Sequence, residues 1–130
     1  MRRVLIGLVL VFSVACLGDG LTGSSTVTGA YTLRTINGSP LPYTIVASGK
    51  EILDDVITLY QGGTYAESGH SRTTVNGQVT NATNTDTGSY VLLGTSITFH
   101  SSGGGLDVIA QGDGTTMTIV APGLTKVFSK

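Results

Sequence analysis

The sequence predicts an all-β domain over residues 26–130, an antiparallel up-and-down β-barrel of about eight or nine short strands. Three observations predict it. Apolar residues alternate with polar ones at the strand period of two, and nowhere recur at i, i+3, i+4, i+7 over three turns. Glycine or Asn-Gly breaks that alternation roughly every 8 to 14 residues. Nineteen Gly and twenty Thr against three Pro, no Trp and 12% charged residues describe a turn-rich, strand-rich chain. The same composition excludes other classes. All eight acidic residues and only five of the seven basic ones lie beyond Cys16, so no basic face exists for nucleic acid. There is no second long apolar stretch for a multispan membrane protein, and 130 residues are too few for two ordinary domains.

In chain order, Arg2 and Arg3 form a positive leader to the apolar run Val4–Val14. That run is shorter than the roughly 18–20 residues of a membrane anchor, so residues 1–15 read as a signal peptide. The segment ends Phe12-Ser13-Val14-Ala15-Cys16, which resembles a bacterial lipobox, with Ser13 where Leu is usual. The resemblance implies that Cys16 is the lipid attachment point. Cys16 is also the sole cysteine in the chain, so no disulfide partner accounts for it. Residues 16–25 are rich in Gly, Ser and Thr without periodicity and read as a tether reaching about 15–18 Å. Leu17 follows the cysteine instead of the Asp that retains some lipoproteins in the inner membrane. By that analogy the outer membrane, on its periplasmic side, is favoured.

The strand candidates follow. Val27–Ile36 sets Tyr31 and Leu33 on one face; Tyr43–Ala47 and Val56–Tyr60 alternate in the same way. Thr64–Val75 and Gln78–Ala82 flank Asn76-Gly77, the strongest two-residue hairpin signal. Ser89–Leu93 and Ser96–His100 flank Gly94-Thr95, with Tyr90, Leu92, Ile97 and Phe99 on a shared face. Leu106–Gln111, Thr115–Val120 and Thr125–Ser129 complete the set. Tight turns make sequential neighbours antiparallel, and closing the meander removes two aggregation-prone edges. A sandwich is the competing architecture, and periodicity does not separate the two.

Gly29-Ala30-Tyr31-Thr32-Leu33 followed by Ile36-Asn37-Gly38-Ser39-Pro40-Leu41-Pro42 resembles the opening of small bacterial lipocalin-like lipoproteins. Leu59-Tyr60-Gln61-Gly62-Gly63-Thr64-Tyr65, Asp86-Thr87-Gly88-Ser89-Tyr90-Val91-Leu92 and Ile97-Thr98-Phe99 resemble the same family. Tyr31 stands where true lipocalins carry the Trp of a Gly-x-Trp motif. The resemblance implies a lipocalin-like barrel and supports a fold more than an activity.

Catalytic and metal-binding patterns are not legible. His70 and His100 are 30 residues apart and read as surface residues near strand ends, with no metal-ligand spacing. Glu51, Asp54 and Asp55 read as a solvated turn, too sparse for a Ca²⁺ loop. There is no Gly-x-Ser-x-Gly elbow, and no helix follows Gly103-Gly104-Gly105 to cradle a phosphate. No cofactor or enzyme activity is expected. The predicted inner face is what remains: Tyr31, Tyr65, Tyr90 and Phe99, with Leu33, Leu59, Leu92, Ile97, Met117 and Ile119. Those four aromatics are the candidate ligand-binding residues for a small hydrophobic molecule, tyrosine hydroxyls being the polar handles. The alternative is that they fill the barrel. The expected protein is therefore a lipid-anchored envelope binding module. The alternative is a structural or protein-interaction module with a filled barrel, its partner unidentified.

Overall fold

The computed structural model describes residues 27–130. The predicted signal peptide, Cys16 and the tether lie outside the described residues. The described residues form ten strands: β1 (Gly29–Ile36), β2 (Ser39–Pro40), β3 (Tyr43–Ile45), β4 (Lys50–Leu59), β5 (Thr64–Val75), β6 (Gln78–Leu93), β7 (Ser96–Ser101), β8 (Val108–Gly112), β9 (Thr116–Ala121) and β10 (Leu124–Ser129). From β4 to β10 each strand pairs antiparallel with the next. β1 then pairs with β10 on one side and β4 on the other, closing eight strands into a barrel. β2 and β3 are short additions to β1 and β4. The competing sandwich is thereby ruled out.

Local chemistry accounts for the turns and the closure. Asn37-Gly38 and Asn76-Gly77 both have positive φ at the two central residues, as a type I′ hairpin demands. Bulges between Leu33 and Thr35 on β1, and between Ile52 and Asp54 on β4, add the local bend that closure requires. Residues 27–130 form both the closed ring of strands and the hydrophobic core inside it, the two features of a domain able to fold alone.

One end of the barrel is sealed. Backbone bonds run there from Tyr90 N to Gly63 O (2.8 Å), Gly112 N to Thr95 O (2.8 Å) and Lys130 N to Thr115 O (3.0 Å). The other end is incomplete along two seams. β1 meets β4 only over Gly29–Thr32, and β6 meets β7 only over Gly88–Leu93. Beyond those seams β4, β5 and β6 continue as a wall above the barrel mouth. The core fills the sealed half, where Tyr31, Leu59, Ile97, Met117 and Phe128 are fully buried; Ile36, at the far end of β1, is fully buried as well. Each apolar residue predicted for the inner face is buried or, for Leu92 and Ile119, packed against the core.

Two expectations are corrected. Glu51, Asp54 and Asp55 are not a solvated turn; they lie inside β4, which starts at Lys50. Cross-strand partners hold them there: Glu51 meets Arg72, Asp54 Oδ1 meets His70 Nδ1 at 2.7 Å, and Asp55 turns inward. Gln78–Ala82 and Ser89–Leu93 are the two ends of a single strand, β6, paired with β5 from Gln78 to Ser89.

Candidate ligand-binding site

The four candidate aromatics separate into two pairs. Tyr31 and Tyr90 belong to the sealed end. The Tyr31 hydroxyl donates to Val27 O at 2.7 Å, and that of Tyr90 to Tyr60 O at 2.9 Å. Burial raises the pKa of both phenols, so both remain neutral hydrogen-bond donors. Tyr65 and Phe99 instead meet edge to face, ring centres 4.9 Å apart and planes at 79°, on the wall of a cavity of about 220 Å³. Ile57, Val108, Ile119 and Leu124 line the same cavity.

Glycine makes the Tyr65 position possible. Tyr65 lies opposite Gly88, where a Cβ would come within 2.0 Å of His100 O and 2.9 Å of the Tyr65 ring. The ring therefore covers bare backbone, and its hydroxyl reaches Asp86 Oδ2 at 2.6 Å. Asp86 Oδ1 accepts from Ser101 Oγ at 2.6 Å and from the Thr87 amide. These bonds, led by Ser101 and then Tyr65, hold the Asp86 carboxyl below its usual range. Burial, reinforced by the Asp86 charge, pushes the Tyr65 hydroxyl well above its ordinary value.

Past the aromatic pair the interior turns acidic. Ile57, Glu67 and Asp86 form one cross-strand row, and Asp55 pairs with Gly69 in the row beside it. A Cβ on Gly69 would stand 3.1 Å from Asp55 Oδ1, so the missing side chain leaves that carboxylate its place. Asp55 is only 4% exposed. Its Oδ2 accepts from Lys126 Nζ at 2.9 Å, while its Oδ1 is buried without a hydrogen-bond partner. Burial first, and then the neighbouring Asp55 carboxyl, push the Glu67 pKa up to about 7, with Lys126 opposing.

Asp55, Glu67, Asp86 and Lys126 also line a second cavity of about 260 Å³, walled by Gly69, Ser71, Asn84 and Lys50. Glu67, Asp86 and Lys126 are common to both cavities, which makes them the boundary between an apolar and a polar chamber. Among the described residues no group of His, Cys, Asp or Glu is placed to hold a metal ion. The histidines are peripheral: His70 pairs with Asp54 and His100 with Asp107, both at 2.7 Å and both largely solvated, which makes them weak contributors.

The sequence placed Asp55 in a solvated turn and Asp86 in a strand motif, and it marked none of Asp55, Glu67, Asp86 and Lys126 as a site residue. A signal for two of them was present. Counting inward positions by twos from Tyr65 gives Glu67, Gly69 and Ser71; counting back from Tyr90 gives Gly88, Asp86 and Asn84. Comparison of the chain with family models, with curated proteins and with solved structures finds no match.

Proposed function

We propose that the protein is a lipid-anchored binding protein of the bacterial envelope, tethered through Cys16 on the periplasmic side, with the outer membrane favoured. In this reading its lipocalin-like barrel takes one small amphiphilic molecule into the mouth and performs no catalysis. The observation that carries the reading is the apolar chamber walled by Tyr65 and Phe99 and continuous with buried polar groups, the usual composition of a small-molecule site. Its volume of about 220 Å³ lies below the 300–1,000 Å³ or so of drug-sized pockets, which limits the apolar part to a short chain or a single ring.

A titration of isotopically labelled residues 26–130 with n-butanol tests this reading by NMR. Saturable shifts are expected at Ile57, Phe99 and Ile119, with Kd in the high-micromolar to millimolar range, about −4 to −5 kcal/mol. Met117, in the sealed half, should not respond. Non-saturating shifts scattered over the outer surface would rule the chamber out as a binding site. One observation then favours the interaction-module reading. Residues 78–87 of β6 pair on one side with β5 and, among the described residues, with no strand on the other. Such an edge can accept a strand from a partner.

A further inference from the structure

The boundary between the two chambers holds more negative than positive charge. Three carboxyls, Asp55 on β4, Glu67 on β5 and Asp86 on β6, face one ammonium, Lys126 on β10. Lys50, Asp54 and His70 also line the polar chamber, and Lys50 does not reverse that sign. Asp86 is satisfied by Tyr65, Ser101 and the Thr87 amide, and Asp55 Oδ2 by Lys126. Asp55 Oδ1 is the exception: with Glu67 ionised it is a buried carboxylate oxygen on the chamber wall without a donor. An unpaired buried acceptor of this kind carries a large desolvation cost, which an incoming N–H group removes.

We propose that this boundary binds a primary alkylammonium ion, whose N–H groups donate to Asp55 Oδ1 and whose short chain lies along Tyr65 and Phe99. The inference rests on the binding reading above and names the class of ligand. A carboxylate headgroup would meet three acids and is rejected by charge. A quaternary ammonium has the charge but no N–H for the orphan oxygen. The ligand also competes with a proton. In the free barrel Glu67 is protonated up to about pH 7 and stands diagonal to Asp55, so in that form its O–H is shared with the Asp55 carboxylate. The arriving ammonium displaces that O–H, and Glu67 releases its proton to solvent as the carboxylate forms. Affinity therefore rises with pH up to about 7, by up to tenfold per unit, and levels off above it.

Calorimetric and NMR titrations of residues 26–130 at pH 8 with n-butylammonium, n-butanol, n-butyltrimethylammonium and butyrate test the proposal. The expected result is n-butylammonium at least tenfold tighter than n-butanol or the quaternary ion, with no binding of butyrate. Repeating the n-butylammonium titration at pH 6 should weaken it severalfold. Asp55→Asn should erase the preference over n-butanol. Because that variant strands Lys126, Glu67→Gln provides a second arm. Its amide is a permanent donor beside the Asp55 carboxylate, so n-butylammonium should bind about tenfold more weakly and without pH dependence. Equal affinity for n-butylammonium and n-butanol would overturn the cation inference and leave the binding reading standing. Equal affinity for the quaternary ion would also overturn it, assigning recognition to the aromatic faces. No binding of any of the four would remove both.

Discussion

At the scale of single residues, Glu67 carries a cost that a hydrophobic side chain in its place would not. It stands directly across from Asp86 and diagonal to Asp55, an arrangement of like charges that disfavours ionisation. Its folded pKa of about 7 lies above the ordinary 4.5, so the native state binds this proton more tightly than the unfolded chain does. The resulting stability is full below about pH 4.5 and is lost as pH rises through about 7. Asp86, shifted the other way, acts in the opposite sense and at lower pH: its contribution is present above its ordinary 3.8 and is lost on acidification. Glu67→Gln should therefore be more stable than the parent at pH 8 by on the order of 1 kcal/mol, the side chain being partly solvated. The two proteins should converge near pH 4.5. Urea denaturation at half-unit pH steps measures the difference, and parallel curves across that range would show that Glu67 titrates normally. None of this was legible from the sequence, because a carboxylate at an inward position has the same spelling as one on the surface. Only the alternation anchored on Tyr65 distinguishes them.

At the scale of strands, the sequence was readable where the inner face is apolar and not where it becomes polar. β7 and β9 alternate Ile97 with Phe99 and Met117 with Ile119 closely enough to be read at once. β6 reads as two fragments because its inward positions pass from Tyr90 through Gly88 to Asp86, Asn84 and Ala82, which carry no hydrophobic signal. The first half of β4 was missed for the same reason: Glu51, Asp54 and Asp55 resemble a turn until their partners on β5 and β10 are known. The gaps in the pattern thus coincide with the wall of the polar chamber. β6 should also be divided in its dynamics. Amides of Gly88–Leu93 lie between β5 or the sealed rim and β7, whereas residues 78–87 have a ladder on one side only. Native-state hydrogen exchange should show protection falling across Thr87, with the faster half approaching local-opening behaviour. Uniform protection along all of β6 would show that the far edge is covered in solution.

At the scale of the molecule, the predicted inner face and the closed meander are present, whereas anchoring rests on residues outside those described. If Cys16 carries lipid, Cys16→Ser should move the protein from the detergent phase to the aqueous phase in a Triton X-114 partition. A processed Cys16→Ser protein that stays in the detergent phase would refute the anchor. The barrel also imposes an order on its own assembly. β1 is held between β4 and β10, and its register with β10 runs from Thr32↔Ser129 to Ile36↔Lys126, some ninety residues along the chain. Contacts of such long range are slow to form, because their loop-closure entropy is spent before any packing is gained. A growing chain can build the β4–β5–β6 wall from neighbouring hairpins, but it cannot complete the ring until residues 124–129 have emerged. Under the proposed export, synthesis of the last strand, which also delivers the buried Phe128, sets the earliest moment at which the barrel can close and the chain ceases to be transportable.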